Sequence, residues 1–142
     1  MSRSGSQGAR SRARELIVQS LYQKQITGHD VVELLRQFHD RPDFQRVDQA
    51  YFDEVLKGVC ANRETIEESI EALADRPLAQ LDPVERGILL LGFHELISKP
   101  DVPYRVVINE SVNLAKRFGA VDSYKYINAL LDRAVKKLRP EA

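Results

Sequence analysis

The length, composition and charge of this sequence exclude disordered, membrane-spanning and disulfide-bonded classes of protein. Its 142 residues are 43% hydrophobic and 30% charged, which is typical of one globular domain with its own core. No apolar run approaches the roughly 20 residues of a membrane span, the basic N-terminus lacks the apolar core of a secretory signal, and a single cysteine excludes an intrachain disulfide. We therefore expect a cytoplasmic protein.

Charge is distributed unevenly along a chain whose formal net charge is zero. Residues 1–25 carry five basic and one acidic side chain, a net charge of +4, and residues 100–142 carry a net charge of +3. The middle, residues 26–99, carries a net charge of −7. This distribution suits RNA at the basic ends and a basic protein at the acidic middle. We interpret the acidic run over residues 64–75 more simply, as the solvated face of one helix.

A short polar tail precedes the first predicted helix. Residues 1–9 are rich in Ser, Gly and Gln, which predicts a disordered tail, and a single all-α domain is expected over residues 10–140. The first helix should end near Gln25, because Gly28 follows as a helix-stop signal. Four residues with helical spacing are expected to form its buried face: Ala13, Ile17, Ser20 and Leu21.

Two further helices are predicted before residue 75. Asp30 and Glu33 have the spacing of a capping box, which places the start of the second helix at Val31. A loop is expected over residues 39–47. From there the apolar positions keep helical spacing over residues 48–73, which predicts one long third helix of about six turns.

The clearest helix-start signal in the sequence is an Asp-Pro-Val-Glu segment. Asp82 is predicted to be the N-cap, Pro83 suits the first helical position, and the Glu85 side chain is placed to reach back to the cap. The helix that follows, to about Ile97, is apolar on nearly all sides and is therefore predicted to be the central buried helix. Gly92 is expected to permit close contact with another helix.

The last third of the chain predicts two helices that meet at a tight joint. Pro103 suits the first turn of one helix, and Gly119 lies where a left-handed residue would end it. Asp122 or Ser123 is expected to cap the final helix. No stretch shows the sustained alternation of strands, so the sequence predicts an all-α fold, a compact bundle of six or seven helices.

Basic and aromatic side chains gather at this joint and suggest an RNA-binding surface. Lys116 and Arg117 lie on the predicted outer face of one helix, and Lys125 and Tyr126 lie in the predicted exposed first turn of the next. Cations and aromatic rings at a helix N-terminus suit an RNA phosphate and a stacked base. Composition alone leaves open the alternative that the tyrosines belong to the core.

No group of residues in the sequence predicts a catalytic site. The three histidines, at positions 29, 39 and 94, are scattered, and none has a ligand partner four residues away. The sequence contains no glycine-rich phosphate loop, nucleotide-binding fingerprint or nucleophile elbow. We therefore expect neither enzymatic activity nor a bound cofactor or metal.

Six segments carry a resemblance to a known family. They are Val102-Pro-Tyr-Arg-Val-Val-Ile-Asn-Glu, Ala115-Lys-Arg-Phe-Gly, Asp122-Ser-Tyr-Lys-Tyr-Ile-Asn, Leu131-Asp, Arg10-Ser-Arg-Ala-Arg-Glu and Gln19-Ser-Leu-Tyr-Gln. Together they resemble the NusB family of transcription antitermination factors over nearly the whole chain, from about Arg10 to Pro140. The N-terminal domain of certain ribosomal RNA cytosine methyltransferases shares the C-terminal segments. An RNA-targeting domain of that kind, or a purely structural protein-interaction bundle, is therefore the alternative.

The resemblance implies a function, partners and site residues. NusB-like proteins bind the single-stranded boxA segment of leader RNA together with the small-subunit ribosomal protein NusE. They do so in an elongation complex with RNA polymerase and other Nus factors, and they support transcription of ribosomal RNA operons. With Lys116 from the joint, the implied RNA-binding residues are Arg10, Arg12, Arg14, Tyr22, Asp122, Lys125 and Tyr126.

Further expectations concern the protein partner, the departures from the family pattern and the exposure of two arginines. The protein partner is expected on the central helix and the helix after it, with Glu85 as a contact. Ser11 interrupts a basic run that is often continuous in the family, and Tyr126 stands where phenylalanine is common. Arg10 and Arg14 are both expected to be solvated, so that their removal should leave the fold intact.

Overall fold

The computed structural model of the chain describes residues 5–141, and the chain divides into two compact units, Met1–Ala61 and Asn62–Ala142. The described residues form seven α helices and two 3₁₀ helices, and they contain no strand. The first unit holds α1 (Gly5–Thr27), α2 (Val31–His39), a 3₁₀ helix (Pro42–Arg46) and α3 (Gln49–Ala61). The second holds α4 (Arg63–Leu73), a 3₁₀ helix (Leu78–Gln80), α5 (Pro83–Ser98), α6 (Tyr104–Phe118) and α7 (Ser123–Leu138). The all-α prediction is confirmed.

The first helix begins earlier than the sequence predicted. α1 starts at Gly5, so residues 5–9 depart from the disorder predicted for residues 1–9, while residues 1–4 lie outside the described part of the chain. Once a helix has nucleated, each further residue adds a hydrogen bond, and polar composition alone does not stop it. The predicted inner face is confirmed as buried: Ala13, Ile17, Ser20 and Leu21. A single domain over residues 10–140 stays a prediction.

α2 begins at Val31, as predicted, with half of the expected capping box. The backbone N–H of Glu33 donates to Asp30 Oδ1 at 2.9 Å, which satisfies one of the free donors of the first turn. The Glu33 carboxylate does not complete the box, because it accepts from the side chains of Arg36 and Gln37 instead. These hydrogen bonds lower the pKa of Glu33 to about 2.

The long third helix of the prediction is two helices. α3 ends at Ala61 and α4 begins at Arg63, and Asn62 between them has φ −112° and ψ 19°. Asparagine favours such a break because its short polar side chain competes with helical backbone bonding. The periodicity of the sequence misses it, since the apolar positions on each side of Asn62 keep helical spacing of their own.

α5 is the buried centre of the second unit. Every residue over 87–96 is buried, which confirms the prediction of a central helix, and α6 and α7 both pack against it. A Cβ added at Gly92 would lie 3.1 Å from Ser111 Oγ of α6 and 3.2 Å from Leu131 Cδ2 of α7. The absence of a side chain at Gly92 therefore permits close contact with both helices, as the sequence predicted.

Arg139, just after α7, closes the C-terminal end of α5. Its guanidinium donates hydrogen bonds of 2.6–3.1 Å to the backbone carbonyl oxygens of four residues: Glu95, Leu96, Lys99 and Val102. The last carbonyls of a helix have no partner within the helix, and a cation there also opposes the negative end of the helix dipole. One side chain thus joins the end of α5, the turn that follows it and the end of α7.

We predict that Arg139→Ala lowers the free energy of unfolding by about 2–4 kcal/mol. Hydrogen bonds to a charged group contribute about 1.5–3 kcal/mol each and do not add simply within one side chain. Arg139→Lys should restore only a small part, because an ammonium lacks the planar fork of donors. Urea denaturation followed by circular dichroism measures the effect. Arg133→Ala, at an exposed position of α7, is the matched control, and equal stability of the two alanine variants would contradict the prediction.

Candidate nucleic-acid interface

The α6–α7 joint, residues 116–126, is built differently from the sequence prediction. Gly119 ends α6 with φ −89° and ψ 175°, an extended conformation, and the left-handed residue is Asp122 with φ 68°. The prediction of a left-handed Gly119 is therefore wrong. Glycine is needed there for space, because an added Cβ would collide with Ser123 Oγ and lie 2.7 Å from the carbonyl oxygen of Ala115.

Asp122 occupies the N-cap position of α7, but its side chain does not cap the helix. The backbone N–H of Lys125 donates to the Asp122 carbonyl oxygen at 3.1 Å, while the Asp122 carboxylate lies 3.5 Å from Lys125 Nζ. Ser123 does not replace the cap, because its buried Oγ has no hydrogen-bond partner among the described residues. The predicted side-chain cap is wrong, and the Asp122 carboxylate lies beside an exposed lysine instead.

Three predicted RNA-binding residues come together in this joint. Lys116, Asp122 and Lys125 are all exposed, and Lys116 Nζ lies 4.8 Å from the centroid of the Tyr124 ring. A cation over a ring face at an exposed position contributes about 0.5–1 kcal/mol. The aromatic neighbour of Lys116 is thus Tyr124, and the joint presents two lysines and a half-buried ring.

Tyr126 is half-buried, and one face of its ring is covered. The guanidinium carbon of Arg76 lies 4.2 Å from the ring centroid. The hydroxyl of Tyr126 is buried and has no hydrogen-bond partner among the described residues. Burial, followed by the charge of Asp75, raises the pKa of this hydroxyl. The first turn of α7 is therefore exposed at Lys125, as expected, and half-buried at Tyr126.

The three arginines near the start of α1 form a second group, which we call the α1 arginine group: Arg10, Arg12 and Arg14. Arg12 is exposed, and its Nε donates to the carbonyl oxygen of Arg46 at 2.8 Å. Arg10 is partly exposed, and its Nε lies 3.5 Å from Asp48 Oδ2. These two guanidinium groups are within reach of a phosphate.

Arg14 differs from the other two arginines. Its exposed fraction is only 3%, and its guanidinium carbon lies 5.4 Å from the centroid of the Tyr51 ring of α3. The expectation that Arg14 is solvated is therefore wrong: a long side chain can follow the surface of a neighbouring helix and become buried along it. Tyr22, two turns further along α1, is 43% exposed and remains available to a ligand.

Glu85, the expected contact for a protein partner, lies in the N-terminal cap of α5. Its backbone N–H donates to Asp82 Oδ1 at 2.8 Å, as the capping signal predicted, and its exposed fraction is 9%. Desolvation, followed by the charge of Asp82, raises the pKa of the Glu85 carboxyl. Only a small part of this side chain is open to a partner.

The part of the chain that the structure describes has neither a metal-binding cluster nor a membrane-spanning helix. It contains no group of three or more His, Cys, Asp and Glu side chains that could hold a metal ion. His39 Nε2 and Asp53 Oδ1 form a pair at 2.6 Å, without a further ligand in such a group. No helix in residues 5–141 is long and apolar enough to cross a membrane.

Comparison with known proteins identifies the family. The model of the NusB family matches residues 11–136. The transcription antitermination protein NusB of Halorhodospira halophila is 51% identical over 94% of this chain and 85% of its own length. That of Ralstonia nicotianae is 46% identical over 92% of this chain and 84% of its own length. The chain belongs to the NusB family. The names of these NusB relatives favour an antitermination factor over a methyltransferase domain.

Solved NusB structures share the fold. NusB of T. maritima matches with a TM-score of 0.80 at 27% identity, covering 96% of this chain and 94% of that chain. A crystal structure of the antitermination factors NusB and NusE in complex with dsRNA matches with a TM-score of 0.76, covering 89% of this chain and 96% of that chain. Its identity is 23%, so it bears on the fold alone.

We predict that Tyr126→Phe leaves the melting temperature unchanged or raises it slightly. The hydroxyl is buried without a partner, and its removal takes away a desolvation cost without breaking a hydrogen bond. Tyr126→Ala should lower the free energy of unfolding by about 1–3 kcal/mol, because a half-buried ring is lost. Thermal denaturation of both variants tests this. A drop of several degrees in Tyr126→Phe would reveal a hydrogen bond that the structure lacks.

Proposed function

We propose that this chain is a transcription antitermination factor that binds boxA-type single-stranded leader RNA together with NusE. It supports transcription of ribosomal RNA operons in the cytoplasm, has no enzymatic activity, and works with RNA polymerase and other Nus factors. The observation that carries the proposal is membership of the NusB family along most of the chain. The solved complex of NusB and NusE with dsRNA has the same fold as this chain, and its two partners are of the kinds that the family resemblance implies.

The α6–α7 joint supplies positive charge for RNA phosphates. Lys116 and Lys125 are exposed there, and Lys125 lies in the first turn of α7, where the helix dipole also attracts an anion. Asp122 carries a negative charge and is paired with Lys125. Its role in RNA binding is therefore to orient this lysine, and a phosphate would compete with its carboxylate.

Two surfaces near Tyr126 are proposed for the stacking of a base. Arg76 covers one ring face, so a base stacks either on the opposite face or on the Arg76 guanidinium, whose side chain is partly exposed. Stacking of a base on an aromatic ring or a guanidinium plane is common in recognition of single-stranded RNA. Arg76 thereby joins the proposed RNA-binding residues.

The α1 arginine group provides further phosphate contacts. Arg10 and Arg12 have exposed surface and supply them, whereas the buried Arg14 supports the group from within the first unit. Tyr22 offers an exposed ring for a base. If about four phosphates are neutralised in all, the affinity of the isolated chain should be salt-sensitive, with a log–log slope of about −3.

We predict that the double variant Lys116→Ala with Lys125→Ala weakens RNA binding about tenfold and reduces the salt slope from about −3 to about −1.6. Each lost phosphate contact removes about 0.7 from the slope for a single strand. Fluorescence anisotropy with a boxA-type RNA at several salt concentrations measures both quantities. The control is Lys136→Ala with Lys137→Ala, which makes the same charge change at the exposed far end of α7. Equal losses in the two double variants would show that net charge matters and the joint does not.

NusE is proposed to bind the second unit through Glu85 and to need no RNA for this. The acidic middle of the chain has a net charge of −7, and ribosomal proteins are usually basic. Glu85 is a largely buried carboxylate in the N-terminal cap of α5, so a cation that reaches its small open part forms a charge-assisted hydrogen bond. The exposed acidic residues of α4 form a solvated helix face and are not part of the proposed NusE contact.

We predict that Glu85→Gln lowers NusE affinity at least about tenfold without lowering stability, because glutamine keeps the size of the side chain and loses its charge. The raised pKa means that the charged form opposes folding as pH rises through it, so the variant should be equal or slightly more stable at pH 7. Calorimetric titration without RNA measures affinity. Glu64→Gln with Glu68→Gln, on the exposed face of α4, is the control. If the control loses affinity for NusE and Glu85→Gln keeps it, NusE binds the acidic face of α4 and not Glu85.

A further inference from the structure

The segment over residues 46–51 holds the N-terminal turns of α1 in place. The backbone N–H of Asp48 donates to the carbonyl oxygen of Ala9 at 3.0 Å. The side chain of Arg12 donates from its Nε to the carbonyl oxygen of Arg46 at 2.8 Å. These two hydrogen bonds join the chain on either side of Arg10 to the segment between the first 3₁₀ helix and α3, so the arginines of this turn project from a fixed backbone.

The ring of Tyr51 lies beside two guanidinium groups of this turn. The guanidinium carbon of Arg10 is 4.2 Å from the ring centroid, and that of Arg14 is 5.4 Å from it. Tyr51 is itself fixed, since its exposed fraction is 3% and its backbone N–H donates to Asp48 Oδ1 at 3.1 Å. The second oxygen of the same carboxylate faces Arg10.

We infer that Tyr51 is a positioning residue for RNA binding by the α1 arginine group, an inference that rests on the proposed function. Tyr51 is too buried to touch RNA, so it acts through Arg10. An arginine side chain loses much rotamer freedom when it binds a phosphate, and a guanidinium already held over a ring loses less. The guanidinium carbon of Arg10 lies over the ring, and an arginine that packs on an aromatic face can still donate from its N–H groups to a phosphate.

A ring is better suited to this task than the carboxylate beside it. Asp48 also contacts Arg10, but its negative charge partly neutralises the guanidinium and repels a phosphate. Tyr51 holds the cation and leaves its full charge available. The ring, and not the hydroxyl, carries the effect, so phenylalanine at position 51 should substitute for tyrosine while an aliphatic residue should not.

The experiment compares three variants of the full chain with a boxA-type single-stranded RNA. Tyr51→Leu should weaken RNA binding about fivefold, and Tyr51→Phe should bind within twofold of the natural sequence. Phe52→Leu is the matched control, because Phe52 is fully buried next in sequence and packs on Phe38 and Phe44. Phe52→Leu should lower the melting temperature and leave RNA affinity unchanged, with all measurements made well below every melting transition.

A spectroscopic signature separates positioning from loss of stability. The Nε–Hε resonance of Arg10 should show a ring-current shift in the natural sequence and in Tyr51→Phe, and this shift should disappear in Tyr51→Leu. If Tyr51→Leu does not fold, Tyr51→Met makes the same test with a longer side chain. If the natural sequence binds RNA and the ring-less variant binds it with equal affinity, the inference is overturned and the proposed function stands. Absence of RNA binding by the natural sequence overturns the proposed function and the inference with it.

Discussion

The burial of α5 on all sides is the constraint on which the second unit depends. The helix is enclosed over residues 87–96, and side chains bond several of the free backbone groups that every helix leaves at its two ends. Asp82 accepts an N–H of its first turn, and Arg139 donates to the carbonyls at and beyond its last turn. Both charged groups follow from the same requirement. The position of Glu85 follows as well, because the cap that serves a buried helix draws this carboxylate out of solvent.

Local rules explain which parts of the fold were predictable from the sequence. Two signals in the sequence predict α5: the cap at Asp82, and an apolar run too dense for an exposed helix. The sequence does not predict the break between α3 and α4 at Asn62, because apolar periodicity is averaged over several turns whereas a single residue can interrupt a helix. Gly119 is a position that requires glycine, as predicted, but the reason differs. Crowding by Ser123 requires the missing side chain, whereas the φ of Gly119 suits any residue.

The exposure of a residue in the candidate interface was predictable where the chemistry of its own side chain determines that exposure. Lys116 and Lys125 are exposed as expected, since a lone ammonium is costly to bury. Arg14 and Tyr126 differ because their settings depend on partners distant in sequence, Tyr51 and Arg76. Arginine and tyrosine are amphipathic, so either can pack or face water, and a helical pattern does not contain the contact that decides between the two. The pairing of cations with rings is therefore a property of the fold.

The hydrogen bonds of Arg139 have a consequence for how the chain folds during synthesis. Glu95, Leu96, Lys99 and Val102 leave the ribosome roughly 40 residues before the guanidinium that binds their carbonyl oxygens. During that interval α5 lacks the donors that complete its C-terminal end and also lacks α7 as a packing partner. Its apolar surface is then open to chaperones or to other chains. Because of the order of synthesis, the second unit can complete its packing around α5 only when residue 139 has emerged.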